Sequence, residues 1–377
     1  MIGQCSKLVA RLGRWRLQKS KLQGQANSEQ QSTSTNRTTA GFTLIELLIS
    51  ALIAGLIISG LLGIVIELVS TNRRELARSE TARDMGIAAE FMSNELREAV
   101  YVYPGECLWE GAGASGDANY CPGLFSKGYL KAPKDSLPLI AFWKLDELPE
   151  NCTGSICDSY RLAGRTYTLV VYFLSQENDD KKWEGRARIT RGELAQFNAT
   201  GQVVREYSSP RAAGVNLQTW PEDTDGNFVG TNVTFGAGKF PVSVLVDYVD
   251  DTKDAQDSID CPSGYSKTPS TKSLGASEGD FSIVRSVYAC VLDERFDNQT
   301  KLRTTNETLN QKVILSVRGN PEGRYGLDRS GCSKEVLTGQ LGKAGQQATC
   351  RLAAVKTEVL NRGTINKGPQ ALPETQE

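Results

Sequence analysis

Between Leu47 and Ile66 the chain runs for 20 residues without a charged side chain. At 1.5 Å per residue, a helix of that length covers about 30 Å, the hydrocarbon thickness of a bilayer. An ordinary solvated surface is excluded for this stretch, because either lipid or protein has to cover it. The run reaches back to Phe42 if one acid, Glu46, is tolerated inside it. An acid at the bilayer centre costs roughly 2.5–3.5 kcal/mol on insertion scales, and less near a helix end. Glu46 therefore calls for a partner charge or for an escape to the headgroups.

The flanks set the orientation. Residues 1–41 carry seven basic side chains and one acid, Glu29, which leaves about −7 on the remainder of a chain whose net charge is −1. Basic residues on the amino side place that end in the cytoplasm and the rest of the chain outside. The same 41 residues are rich in Ser, Thr, Asn and Gln and hold no long apolar core. An ordinary secretory signal places its apolar core ahead of the cleavage site; here the apolar segment comes after the small residues.

Cysteine usage points to the same side. Cys5 lies in the basic leader, and eight cysteines (107, 121, 152, 157, 261, 290, 332, 350) lie downstream. An even number beyond a membrane span fits disulfides in an oxidising compartment. Zinc is the competing reading, and Cys152-x4-Cys157 is its only close pair, without the second knuckle that such sites usually show. No histidine occurs anywhere, which removes Ser-His-Asp catalysis and imidazole-ligated zinc. The acidic remainder gives no reason to expect a nucleic-acid partner.

Within the apolar run, Ala51, Gly55, Ser59 and Gly63 recur four apart, a small-residue row that lets helices approach closely. Beyond Glu67 the sequence continues without proline, and Val69, Leu76, Ile87, Phe91, Leu96 and Val100 recur at helical spacings. Glu75 with Arg78, and Glu80 with Arg83, are placed to pair at i,i+3. Tyr101-Val-Tyr103-Pro104-Gly105 ends the helix. The expected organisation is a leader over 1–41, a membrane segment over 42–66, an amphipathic continuation over 67–103, a β-rich head over 104–360 and a disordered tail over 361–377.

In the head, Leu139–Leu145, Thr166–Leu174, Arg186–Thr190, Val242–Val249, Phe281–Leu292 and Lys312–Val317 read as strands separated by turn residues. The expected fold class is α+β, a long amino-terminal helix packed on an antiparallel β head. Residues 250–280 read as a long exposed loop. Among the 105 connectivities of eight cysteines, short loops favour Cys107–Cys121, Cys152–Cys157, Cys261–Cys290 and Cys332–Cys350. No cofactor is expected. Asp223-Thr224-Asp225-Gly226-Asn227 is the one calcium candidate, with oxygens at alternating positions and a glycine bend. No acid follows until Asp247 to complete the loop, so an Asp-Gly turn is the favoured reading. A second acidic run, Asp247, Asp250, Asp251, Asp254, Asp257 and Asp260, reads as solvated.

Gly41-Phe42-Thr43-Leu44-Ile45-Glu46-Leu47-Leu48 resembles the processing and assembly motif of type IV prepilins and type II secretion pseudopilins. The resemblance covers about 25 residues. It implies cleavage between Gly41 and Phe42 by prepilin peptidase, a membrane aspartyl protease, and methylation of the new Phe42 amine. It also implies that Glu46 of one subunit pairs with the amine of a neighbour, a charge that does not exist until the leader is removed. The implied partners are other pilins or pseudopilins, the peptidase and an inner-membrane assembly platform. The implied location is the bacterial inner membrane, with the head in the periplasm or, in a filament, at the cell surface. Val313-Ile-Leu-Ser-Val-Arg-Gly-Asn320 is similar to a segment of a cyanobacterial pseudopilin of hormogonium polysaccharide secretion, which adds exopolysaccharide as a candidate partner. The large head is expected of a minor, non-enzymatic subunit; an anchored adhesin or polysaccharide-binding protein is the alternative.

Overall fold

A computed structural model of the chain describes residues 43–115, 120–161, 164–236, 238, 240–250, 261–270, 286–292, 310–321, 323–326 and 353–362. The proposed cleavage pair Gly41 and Phe42, Cys332 and Cys350, and Asp251, Asp254, Asp257 and Asp260 lie outside the described residues. The chain divides into two compact units, residues 1–63 and 64–377. Helix α1 (Leu44–Glu98, 55 residues) contributes to both.

The helix ends at Glu98, short of residue 103. Ala99–Val102 forms strand β1, all four residues buried, paired antiparallel with β3 (Ser136–Glu147) through Val102 and Phe142. The Ala-Val-Tyr-Val sequence explains the switch: β-branched and aromatic side chains fit a pleated surface better than another helical turn. The free edge of β1 is closed by a side chain. Gln311 accepts the Val102 N–H (2.8 Å) and donates to the Val102 carbonyl (3.0 Å), so the exposed ladder is satisfied locally.

A nine-stranded sheet forms the frame of the head. From β1 and β3 it continues antiparallel through β4 (Arg165–Ser175), β5 (Ala187–Ala195) and β7 (Val242–Val249). A second part centres on β10 (Lys312–Gly319), which pairs antiparallel with β9 (Val287–Leu292) and β11 (Ala353–Leu360). β8 (Tyr265–Thr268) adds to β9. The two parts join where Gly319 pairs with Val249. Two short strands, β2 (Leu130–Lys131) and β6 (Val233–Thr234), pair in parallel apart from this sheet. Short helices α2 (Gly105–Leu108) and α3 (Ser155–Arg161) lie between strands. Asn361 and Arg362, the first residues of the stretch read as a tail, are tied down by bonds to Gln311 and Ala99.

Both faces of the sheet are covered. On β4, Val170, Tyr172 and Leu174 join the core under α1, while Leu169, Val171 and Phe173 join a second core. That alternation is the period-2 consequence of a strand, and burial on both sides explains the unbroken apolar run from Leu169 to Leu174. The second core takes in Tyr101 of β1 and is closed by irregular chain carrying Leu124, Trp220 and Phe235. Three disulfides lie among the described residues: Cys107–Cys121, Cys152–Cys157 and Cys261–Cys290.

The face that α1 turns to the sheet differs from the expected one. Ala77, Thr81, Met85, Ala88, Ala89, Met92, Ser93 and Leu96 are buried. Of the apolar positions read as the packing stripe, Val69, Leu76, Ile87 and Phe91 are 43–55% exposed, and only Leu96 and Val100 are buried. Small side chains win the contact because they let the helix axis approach closely. The approach is tightest over Gly319, where an added Cβ would lie 2.6 Å from Thr81 Cγ2 and 2.7 Å from Met85 Cγ. Glu75 and Arg78 pair at 3.3 Å, whereas Glu80 pairs with Arg324 at 3.2 Å instead of with Arg83.

Candidate assembly site at the start of the first helix

Thr43 is the first described residue, and its Oγ1 accepts the backbone N–H of Glu46 at 3.3 Å. Thr43 therefore caps α1, and Glu46 is its third helical residue. The Thr-x-x-Glu spacing is a capping-box signature, a signal that assigns Thr43 a role the charge argument alone did not. It also places a carboxylate at the positive end of the helix dipole, a favourable position by about 0.3–1 kcal/mol. Ser50 Oγ donates to the Glu46 carbonyl (2.7 Å) one turn on.

From Thr43 to Val69 every residue is exposed, and 17 of them are large apolar side chains, Leu48, Leu56, Leu61 and Ile66 among them. Ala51, Gly55, Ser59 and Gly63 share one side of the helix at four-residue spacing. A Cβ added at Gly55, Gly60 or Gly63 would meet nothing within 4 Å, so this side stands open. Among the described residues, α1 is the one helix long and apolar enough to cross a membrane.

In the head, charge is used to fasten elements together. Glu95 of α1 takes a two-pronged bond from Arg191 of β5 (3.0 and 2.9 Å), a hydroxyl bond from Tyr172 of β4, and lies 3.4 Å from Lys144 of β3. Burial pushes the Glu95 carboxyl up, but Arg191, Tyr172 and Lys144 outweigh it and hold the group below the ordinary value. A second cluster surrounds buried Glu222, which receives Lys127 (2.6 Å) and the hydroxyls of Tyr120 and Tyr129. There too burial works upward, and the three donors bring the carboxyl down. Both clusters are internally satisfied ion pairs that join separate chain segments.

The calcium candidate is occupied by its own loop. Asp223 Oδ1 accepts the N–H groups of Asp225 (3.0 Å) and Asn227 (2.8 Å), and Oδ2 accepts Asn227 Nδ2 (3.0 Å). Gly226 sits at φ +82°, the geometry of an Asx-type turn. No group of three or more His, Cys, Asp or Glu that could hold a metal ion occurs among the described residues.

Residues 36–62 match the family model described as the prokaryotic N-terminal methylation motif. The chain carries this motif. It spans the capped start of α1, Glu46 and most of the open small-residue row, and it supports a type IV pilin-like precursor. A structural subunit that assembles with other pilins and is processed by prepilin peptidase is what the motif implies, and the apolar helix α1 fits a membrane anchor. No curated protein and no solved structure matches the chain.

Proposed function

We propose that this chain is a minor pilin or pseudopilin, a non-enzymatic filament subunit cut between Gly41 and Phe42 and methylated at the Phe42 amine. One observation carries the reading: Glu46 stands at the capped start of a helix whose next turns are apolar and uncovered. After cleavage, the Phe42 α-amine is a cation with a reference pKa of about 7.7–8.0. In a low-dielectric setting it is a strong partner for the Glu46 carboxylate of an adjoining copy. The leader masks that charge, so cleavage licenses assembly. Basic residues at positions 7–37 hold the amino end in the cytoplasm, and the disulfide-bearing head lies outside. The open row Ala51, Gly55, Ser59 and Gly63 lets neighbouring helices pack closely. Prepilin peptidase and an inner-membrane platform are the processing and assembly partners, and secretion of exopolysaccharide or surface motility are the processes such a filament would serve.

The test has two arms. Mass spectrometry of filament-associated protein should find a methylated Phe42 terminus; residue 1 still present there refutes processing. Glu46→Gln should leave membrane insertion intact while excluding the subunit from filaments. If that variant enters as readily as the native chain, charge pairing does not drive assembly. The alternative reading, an anchored adhesin or polysaccharide-binding protein, predicts that Glu46→Gln leaves surface binding unchanged.

A further inference from the structure

Away from α1's amino end, the head carries a cavity of about 740 Å³ lined by Glu80, Trp183, Glu184, Tyr248, Arg324 and Tyr325. Its three aromatic residues come from separate segments, and the backbone is bent to present two of them. Tyr248 has φ +60° and Tyr325 φ +53°, left-handed conformations that are uncommon for bulky residues and concentrate at ligand clamps. Tyr248 sits in a β-bulge: between Ala187↔Val249 and Ile189↔Val246, β7 carries one residue more than β5. A bulge of this kind re-aims a side chain out of the pleat. Gly185 permits it, since a Cβ there would lie 2.5 Å from the Tyr248 nitrogen.

Trp183 is fixed in place too. The Asn178 amide accepts its N–H (3.2 Å) and donates to its carbonyl (2.8 Å), and the Arg188 guanidinium lies 5.6 Å from its ring centre. The ring nevertheless remains 37% exposed, as Tyr325 remains 48% exposed. Held aromatic surface that stays open to water is the mark of a preorganised binding face.

The polar groups narrow the ligand. Arg324 lies 4.2 Å from the Tyr248 ring centre, so the cation-binding face of that ring is already taken. Carboxylates predominate around the cavity: Glu80 and Asp84 both bond Arg324, and Glu184 accepts the Tyr248 hydroxyl (2.7 Å). An anionic ligand would be repelled by this set. A ligand with apolar faces and many hydroxyls suits it: ring faces take the C–H side of a sugar, and carboxylate lone pairs accept its O–H groups. A second cavity of about 420 Å³ shares Trp183, giving room for more than one sugar unit. We infer that this cleft binds a neutral glycan chain, with Trp183 and Tyr325 as stacking platforms and Glu80 and Glu184 as hydroxyl acceptors. The inference does not rest on the filament reading, because none of these residues belongs to the methylation motif.

The full chain in lipid nanodiscs, prepared without glycoside detergents, would be titrated with dextran, mixed-linkage β-glucan, xyloglucan and galactomannan, and with alginate as an anionic comparison. Calorimetry and tryptophan fluorescence would read binding. Expected is binding of at least one neutral polymer, weakened tenfold or more by Trp183→Ala and by Tyr325→Ala, with unchanged melting and with binding retained in Tyr325→Phe. Binding to none of the neutral polymers, binding to alginate alone, or neutral-glycan binding that survives both alanine variants overturns the assignment.

Discussion

Replacing Glu95 by glutamine removes one charge at the point where α1 meets three strands. The native carboxylate is 12% exposed, with Arg191 at 2.9 Å and Lys144 at 3.4 Å. Glutamine keeps the shape but offers one acceptor oxygen, and its amide nitrogen faces a guanidinium that can only donate. Breaking a fully buried pair costs about 3–5 kcal/mol. Here both cations retain a second carboxylate, Glu193 at 2.8 Å and Asp146 at 2.9 Å, and those contacts are partly solvated. A loss of about 2–3 kcal/mol follows, which for a domain of this size lowers the melting temperature by roughly 4–10 °C. A double-mutant cycle with Arg191→Gln should give a coupling of about 1–2 kcal/mol. The pH dependence has a definite sign. Because the folded carboxyl titrates below its unfolded value of about 4.5, its contribution is complete above that value and disappears as pH falls through the folded one. Glu95→Gln should therefore melt below the native chain at neutral pH and converge on it in acid. Near-UV circular dichroism melts at several pH values would read this; equal melting at pH 7, or a constant gap down to pH 3, would refute the anchoring role.

Four other outcomes are expected. Gly319→Ala pushes a methyl into Thr81 and Met85 and should cost about 1–3 kcal/mol by overpacking, seen as a lower denaturant midpoint; an unchanged midpoint means α1 yields there. Replacing Cys107 and Cys121 by serine opens a loop of 14 residues and should cost about 3 kcal/mol, measured by thermal unfolding. Glu222→Gln leaves Lys127 without its carboxylate and should cost about 2 kcal/mol, with the difference fading in acid because the native carboxyl is held below its ordinary value. Phe91→Ser, on the uncovered stripe of α1, should change melting by no more than about 0.5 kcal/mol while reducing filament incorporation; equal incorporation would remove that stripe from the assembly surface.

What could be read from sequence follows from which forces are local. The apolar run from Leu47, its flanking charge and the strand-like stretches of β3, β4, β5, β7, β9 and β10 are properties of contiguous residues. Cys107–Cys121, Cys152–Cys157 and Cys261–Cys290 are short loops, so nearness in sequence anticipated nearness in space. The seat of α1 was harder to see. Hydrophobicity points to Leu76, Ile87 and Phe91, but most of the residues seated on the sheet are small (Ala77, Thr81, Ala88, Ala89 and Ser93), alongside Met85, Met92 and Leu96. β1 is indistinguishable in sequence from a continuation of the helix because Ala99–Val102 follows it without a turn signal. β11 carries a weak strand signal because Lys356 and Glu358 alternate with its inward residues and its partner β10 lies far back in sequence. The glycan cleft has no sequence signature, since Trp183, Tyr248 and Tyr325 meet only through the bulge and the left-handed turn.

The two stripes of α1 separate anchoring from assembly more sharply than its membrane segment does. Lipid alone is enough to cover Leu47–Ile66, and an anchored binder needs nothing further. Val69, Leu76, Ile87 and Phe91 lie beyond that run, with charged Arg73, Arg74 and Glu75 between them, where lipid tails are not the solvent. At 100° per residue these four positions fall on one side of the helix, roughly opposite the stripe seated on the sheet. A chain whose helix served only as a tether would gain nothing from 43–55% exposed large apolar groups there, since polar residues at those positions would lower its tendency to associate. A helix that packs against copies of itself both in and beyond the bilayer would be built this way. The exposed stripe therefore favours the filament subunit over the solitary anchor, independently of Glu46.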